Sequence, residues 1–133
     1  MQGNVKQENY PYFYQMKKSN KETGADGEDL AISYLTDKGY EIIEKNYRYK
    51  NGEIDLIVSK EKLLAFVEVK FRSSSYFGMP EETVSKKQKK LIISAAENYI
   101  LENNWEFDIR FDIIAILKEN QSVDIQHFED AFF

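Results

Sequence analysis

Two apolar runs, at residues 52–58 and 63–70, stand out in the pattern of hydrophobic and polar positions along this chain. Both are rich in β-branched and aromatic residues, and a short polar break separates them, which predicts a β-hairpin. Apolar residues occupy both faces of each run, so both strands are expected to lie within a covered sheet. Asp55, Glu68 and Lys70 interrupt this pattern, and burying a charge is costly unless the charge is paired or bound to a metal.

The hairpin register brings these three charged residues together. A turn at residues 61–62 places Asp55 directly opposite Glu68, with Cβ atoms about 5 Å apart. Glu68 and Lys70 share a face because side chains alternate along a strand. The pattern therefore predicts two carboxylates and one lysine at a single buried position. A purely structural salt bridge is the alternative, but Glu53 and Asp55 already outnumber the one buried lysine.

Helical and strand periods divide the rest of the chain into further elements. A helix over residues 21–38 ends at Gly39, as is typical of a left-handed cap. A strand over 40–49 and a turn at 51–52 lead into the Asp55 strand. A second helix, a long strand and a short edge strand follow, over residues 84–103, 107–117 and 123–128. The predicted fold is α/β, with a central mixed sheet in αβββαββ order flanked by helices.

Three side-chain interpretations accompany this fold. Arg110 and Asp112 lie on one face of the long strand and are expected to form a structural ion pair. His127 is interpreted as a surface or half-buried residue rather than a ligand. The second helix carries an extra apolar stripe, which predicts packing against a second subunit in a homodimer, with the N-terminal arm as the alternative cover. That stripe consists of Ile93, Ala96 and Ile100.

Composition limits the class of protein. The 133 residues are 42% hydrophobic and 31% charged, as expected for one globular domain. Residues 1–20 are polar and aromatic and are expected to form a flexible arm before a single domain at 21–133. The absence of cysteine excludes disulfides and thiolate metal sites. No apolar run approaches the ~20 residues of a membrane span, and no signal-peptide core is present, so a cytoplasmic protein without membrane contact is expected.

An Asp on one strand and Glu-X-Lys on the next form a minimal set for magnesium-dependent phosphodiester cleavage. The carboxylates of Asp55 and Glu68 suit the hard Mg²⁺ ion, and the Val69 carbonyl is a further candidate ligand. Lys70 is expected to orient the attacking water or to stabilise charge that develops on the phosphoryl group. Mg²⁺ or Mn²⁺ is therefore the expected cofactor.

The net charge of −5 argues against a nucleic-acid partner, but basic residues are concentrated just after the Glu68 strand. A solvated lysine face is the alternative for this run, and its position beside the candidate site favours nucleic acid. Gln88 lies on the core side of the helix, whereas three lysines project away from it. The candidate nucleic-acid-binding residues are Arg72, Lys86, Gln88, Lys89 and Lys90.

Three motifs resemble those of the YraN-like family of bacterial proteins. They are Gly-X-X-Gly-Glu-X-X-Ala at residues 24–31, Gly-Glu-Ile-Asp-Leu-Ile at 52–57 and Phe-Val-Glu-Val-Lys-X-Arg at 66–72. Arg-Phe-Asp at 110–112 and Ala-Phe at 131–132 also match. The family is similar to archaeal Holliday-junction resolvases and to the PD-(D/E)xK nuclease superfamily, which implies a restriction-endonuclease-like fold.

This resemblance implies roles for four residues. Asp55 and Glu68 are implied as metal ligands, Lys70 as the catalytic lysine and Glu28 as an acidic partner from the first helix. Spacing alone equally allows Glu28 to be a carboxylate favoured by the positive end of the helix dipole. The superfamily is named after a Pro-Asp pair, and Ile54 occupies the proline position of that pair, before Asp55.

Two functions follow as expectations. The first is a metal-dependent endonuclease that cleaves DNA and is selective for branched or single-stranded DNA. The second is a non-catalytic module that binds nucleic acid or a protein partner and retains the nuclease fold. The acidic net charge favours the module, whereas the complete set of candidate catalytic residues favours the enzyme.

Overall fold

The computed structural model of the chain describes residues 5–9, 20–72, 84–119 and 121–132. Residues 73–83, which follow the Glu68 strand, lie outside these ranges. Side chains are described for residues 27–71, 84–118 and 121–132. The side chain of Arg72 is therefore outside the described set, although its backbone belongs to a strand.

Two helices and six strands make up the described part of the chain. Neither helix is long and apolar enough to cross a membrane. The predicted αβββαββ order is confirmed, and one further strand precedes it. The elements are β1 (Val5–Asn9), α1 (Asn20–Asp37), β2 (Glu41–Tyr49), β3 (Gly52–Lys60), β4 (Leu63–Arg72), α2 (Lys86–Asn103), β5 (Asp108–Glu119) and β6 (Ser122–Phe128).

The strands form one mixed sheet in the order β1-β6-β5-β4-β3-β2. Neighbouring strands are antiparallel except β4 and β5, which are parallel. A parallel pair needs a crossover connection, and α2 lies in the segment that joins β4 to β5. Residues 1–20, expected to be an arm without a regular element, supply β1. The prediction that β6 is an edge strand is wrong, because β6 lies between β5 and β1.

Local signals set the helix ends. Gly39 has φ +95°, and its N–H donates to the Thr36 carbonyl while the Tyr40 N–H donates to the Leu35 carbonyl, each over 3.0 Å. This pair of hydrogen bonds is the Schellman motif, so the predicted left-handed cap of α1 is confirmed. Helix α2 begins two residues later than predicted, because Ser85 is its N-cap.

The two faces of the sheet bury separate apolar clusters, one beneath each helix. Helix α2 buries Ile92, Ala95, Ala96 and Tyr99. Leu91 is only half-buried. Ala96 of the second stripe is buried, and Ile93 and Ile100 of the same stripe pack against the same cluster. The second stripe thus packs partly within its own chain, and the homodimer stays a prediction.

The β2–β3 turn lies one residue earlier than predicted. Tyr49 pairs with Gly52, so the two turn residues are Lys50 and Asn51, and Lys50 has φ 55°. Gly52 is required for packing rather than for the turn itself. A Cβ atom there would lie 3.0 Å from the carbonyl carbon of Leu91 and still closer to its oxygen. Gly52 therefore allows α2 to approach β3 closely.

The ion pair predicted between Arg110 and Asp112 is confirmed, at 2.7 Å between Nη2 and Oδ2. Asp112 also accepts a hydrogen bond from His127 Nε2 over 2.8 Å and one from the Asp130 backbone N–H over 3.1 Å. His127 is only 2% exposed, so the prediction of a surface or half-buried histidine is wrong. Its Nδ1 lies 3.2 Å from the Tyr34 hydroxyl. Both ring nitrogens thus have polar partners, which offsets the cost of burying them.

Candidate active site

The β3–β4 hairpin has the register predicted from the sequence. Its turn is at residues 61–62, and the ladder runs from Lys60 paired with Leu63 to Leu56 paired with Val67. The next positions in the same register are Asp55 and Glu68.

Beyond the Leu56–Val67 pair, a hydrogen bond to the Asp55 side chain joins the two strands. The Val69 N–H donates to Asp55 Oδ2 over 2.8 Å. The N–H and C=O of one strand residue point to the same neighbouring strand, since paired residues of an antiparallel ladder exchange both bonds. The Val69 carbonyl therefore faces the β3 side as well, where the Asp55 carboxylate lies.

The regular alternation of β3 breaks beside Asp55. Ile54 and Ile57 pack in the cluster beneath α2, whereas Leu56 and Val58 pack in the cluster beneath α1. Two residues three positions apart share a face only where the period of two is interrupted. The facing strand is irregular too, because Asn46 has φ 55°. Asp55 thus sits at a local distortion of the sheet, of the kind that re-aims side chains next to functional sites.

Glu68 makes two contacts that fix its carboxylate. Its Oε2 lies 3.4 Å from Lys70 Nζ and accepts a hydrogen bond from Gln88 Nε2 over 3.1 Å. The Glu68 and Lys70 side chains are 10% and 14% exposed, so little water reaches the pair. Gln88 lies in the first turn of α2, where its N–H donates to the Ser85 hydroxyl over 3.1 Å. The N-cap thus positions the residue that contacts Glu68.

The charge of Asp55 disfavours ionisation of Glu68. Burial and then the charge of Asp55 raise the pKa of Glu68 to about 7, against the opposing effect of Lys70. The pKa of Asp55 is also raised, by burial and by Glu53, while the Val69 N–H and Lys70 favour its charged form. The neighbouring Glu68 side chain also favours the charged form of Asp55 and so opposes the raised pKa. One proton shared between two close carboxyls is the expected state near neutral pH.

Glu28 approaches the same site from α1. Burial, Asp55 and Glu53 raise the pKa of Glu28, and a hydrogen bond with the Asn46 side chain opposes this shift. Glu28 is therefore within electrostatic reach of Asp55, on the side of the sheet opposite α2. The glycine before it lets the helix come close, since a Cβ at Gly27 would lie 2.9 Å from the Phe71 ring.

Residues 27–116 match Uncharacterised protein family UPF0102. The chain belongs to this family. The UPF0102 protein of Clostridioides difficile is 49% identical over 116 residues, covering 86% of this chain and 99% of that protein. The UPF0102 protein of Flavobacterium psychrophilum is 44% identical over 114 residues, covering 86% and 96%. The predicted family is thereby confirmed, and the matched range includes every candidate catalytic residue.

The oxygen donors at this UPF0102 site suit a hard divalent cation. No group of three or more His, Asp or Glu side chains suited to a metal occurs among the described residues. Asp55 and Glu68 supply two carboxylates, and Val69 adds a carbonyl on the same side. Mg²⁺ is commonly held by one or two carboxylates while water and substrate phosphate complete its shell. The residues present therefore fit Mg²⁺ or Mn²⁺.

The predicted nucleic-acid-binding residues do not form one group. Lys86 and Lys90 are exposed, whereas Gln88 is directed at Glu68. Lys89 is half-buried, with Nζ 6.0 Å from the centroid of the Phe132 ring. The contact between Gln88 and Glu68 was not predicted from the sequence. The Ser-X-X-Gln pattern of a capping box marks this helix start, but that pattern does not reveal which carboxylate the glutamine side chain meets.

Proposed function

We propose that this UPF0102 protein is a metal-dependent endonuclease that cleaves DNA phosphodiester bonds, with selectivity for branched or single-stranded DNA. The observation that carries the proposal is the buried group of Asp55, Glu68 and Lys70, with Lys70 Nζ 3.4 Å from Glu68 Oε2. Two close carboxyls whose pKa values are both raised are poorly explained as a structural ion pair with one lysine. A divalent cation would relieve the repulsion that the fold builds into this pair.

The arrangement of the sheet supports placing the protein with restriction-endonuclease-like enzymes and the resolvase-like superfamily. The antiparallel strands β2, β3 and β4 are followed by the crossover helix α2 and by β5, which is parallel to β4. The candidate residues lie on β3 and β4, the two strands at the centre of this arrangement.

Each residue has a defined task in the proposed reaction. Asp55, Glu68 and the Val69 carbonyl would hold a divalent cation, which would supply polarisation of the phosphate and a lowered pKa of water. Lys70 places a positive charge beside the phosphoryl oxygens, where negative charge increases in the transition state. Gln88 holds Glu68 in position, and Glu28 adds a carboxyl on the α1 side of Asp55.

A non-catalytic nucleic-acid-binding or partner-binding module is the second candidate. The net charge of −5 favours it, as does the absence, among the described residues, of a group of three or more acidic or histidine side chains suited to a metal. The two candidates differ in whether a phosphodiester bond is broken, so a cleavage assay separates them.

The test uses labelled single-stranded, duplex, flap and four-way DNA, and the matching RNA, with Mg²⁺ or Mn²⁺. We expect cleavage of at least one DNA structure, inhibition by EDTA and a loss of roughly a hundredfold or more in Asp55→Asn, Glu68→Gln and Lys70→Met. Asp108→Asn, an exposed carboxylate at the start of β5, is the matched control. Equal activity of Asp55→Asn would show a contaminating nuclease, and binding without cleavage would favour the module.

Cation binding is tested separately from catalysis. A ligand that binds only the folded state raises the melting temperature by mass action. Millimolar Mg²⁺ or Mn²⁺ should therefore raise the melting temperature of the wild type and leave that of Asp55→Asn unchanged. A wild-type melting curve indifferent to both cations would exclude a shared metal site at Asp55 and Glu68.

A further inference from the structure

The turn between β2 and β3 lies at the same end of the sheet as the candidate active site. Gly52 is the first residue of β3 and Asp55 the fourth, so about 10 Å of extended strand separates them. Lys50 and Asn51 form the turn just beyond Gly52. In contrast, the β3–β4 turn at residues 61–62 lies at the opposite end of β3.

Close packing joins this turn to the beginning of α2. No Cβ fits at Gly52, because the backbone of Leu91 occupies that space. Lys87 precedes Leu91 by four residues and therefore lies one helical turn earlier on the same strip of α2. Helical side chains lean toward the N-terminus, so Lys87 extends toward the β2–β3 turn and the active-site end.

Positive charge dominates the surface that these two elements form. Lys50 and Lys87 are exposed, and the first turn of α2 contains no acidic residue. Arg48 and Glu53 pair 3.8 Å apart on the other face of the sheet, because Tyr47 and Tyr49 pack beneath α2. Since the whole chain carries a net charge of −5, this local excess of cations is distinct from the rest of the molecule.

We propose that Lys50 and Lys87 form a binding surface for the phosphate backbone of the nucleic acid that enters the site. This inference rests on the proposed function and extends it by naming where the polyanion lies. The 10 Å between Gly52 and Asp55 correspond to roughly three nucleotide steps of a B-form strand. The surface therefore holds phosphates a few nucleotides from the bond at Asp55 and Glu68.

This surface differs from the one that helical spacing alone predicts. Lys89 lies on the other flank of α2, over the Phe132 ring, and takes no part. Lys87, on the flank of α2 toward the β2–β3 turn, belongs to the surface instead of Lys89. Because phosphate contacts carry no sequence information, the surface provides affinity and orientation for any nucleic-acid sequence.

The test measures binding of labelled single-stranded and duplex oligonucleotides at several salt concentrations, with EDTA present so that no metal-dependent cleavage occurs. The double variant Lys50→Gln, Lys87→Gln is compared with Lys60→Gln, Lys62→Gln, which loses the same charge at the far end of the sheet. Loss of two phosphate contacts should flatten the slope of log K against log salt by about 1.8 on duplex or 1.4 on single strands. We expect roughly tenfold weaker binding at moderate salt for the first double variant alone.

Parallel cleavage assays with Mg²⁺ separate this proposal from the proposed function. Wild-type cleavage combined with unchanged binding of the Lys50, Lys87 variant would overturn the surface and leave the nuclease standing. Salt-dependent binding that requires Lys50 and Lys87, without any cleavage, would support the surface and overturn the nuclease. Equal loss in both double variants, or no binding by the wild type, would overturn the surface.

Discussion

Gln88 Nε2 donates a hydrogen bond to Glu68 Oε2 over 3.1 Å, which joins the first turn of α2 to the strand that carries the candidate metal ligands. The same oxygen lies 3.4 Å from Lys70 Nζ. One carboxylate oxygen thus meets both an amide and an ammonium group, and both favour its ionised form. Helix α2 therefore affects the ionisation of the site as well as covering the sheet.

Replacing Gln88 should change the titration of Glu68. The amide hydrogen bond lowers the pKa of Glu68 against a larger effect of burial, so Gln88→Ala should raise that pKa further above about 7. Carbon-13 NMR of the Glu68 carboxyl measures the midpoint directly. Lys86→Ala, at an exposed position of the same helical turn, should leave the midpoint unchanged. An unchanged midpoint in Gln88→Ala would show that this hydrogen bond does not form in solution.

Glu68 should make the metal-free protein less stable as the pH rises. Its pKa is raised from 4.5 to about 7, so between these values the folded state binds a proton that the unfolded state releases. Stability from this group is complete below about pH 4.5 and is lost as the pH approaches and passes 7. The Glu68→Gln variant has no ionisable side chain at position 68, so it lacks this pH-dependent contribution. Urea denaturation with EDTA should therefore show the wild type losing on the order of 3 kcal/mol relative to Glu68→Gln between pH 4.5 and 8.

Glu97→Gln, at an exposed position of α2, is the matched control and should follow the wild-type pH profile. Parallel profiles for the wild type and Glu68→Gln would contradict the raised pKa of Glu68.

Asp112 should contribute to stability in the opposite pH direction. Hydrogen bonds and charge from His127 and Arg110 lower the pKa of Asp112 despite its burial. The stabilisation is therefore present above the ordinary value of 3.8 and is lost as the pH falls through the lower folded value. Asp112→Asn should lose about 3–5 kcal/mol in urea denaturation at pH 7, because it leaves Arg110 without its buried partner. Asp108→Asn, exposed on the same strand, should lose less than about 0.5 kcal/mol. Similar losses in the two variants would show that the buried network is not a major source of stability.

Gly52 should tolerate no larger residue. Gly52→Ala places a methyl group against the Leu91 backbone, and α2 or the hairpin must move away. The expected loss in urea denaturation is roughly 1–3 kcal/mol. Asn51→Ala, next to it in the exposed turn, should cost far less. A Gly52→Ala protein as stable as Asn51→Ala would show that the two elements are not in close contact.

Local patterns determined much of this fold. The apolar runs around residues 61–62 set the register that brings Asp55 opposite Glu68, because a slip by one residue would move the buried side chains of a strand to the other face. Gly39 marked the end of α1 because a left-handed position favours glycine. Arg110 and Asp112 were expected to pair because positions two apart in a strand share a face.

The remaining features depend on contacts between segments that are distant in the sequence. Strand β1 consists of mostly polar residues without an apolar period, and it is a strand because β6 offers it an edge. His127 is buried because Asp112 and Tyr34 supply its hydrogen bonds. Residue spacing within a helix could not show that Gln88 meets Glu68. The packing of α2 on the sheet decided this contact, and Gly52 sets how closely the helix approaches β3.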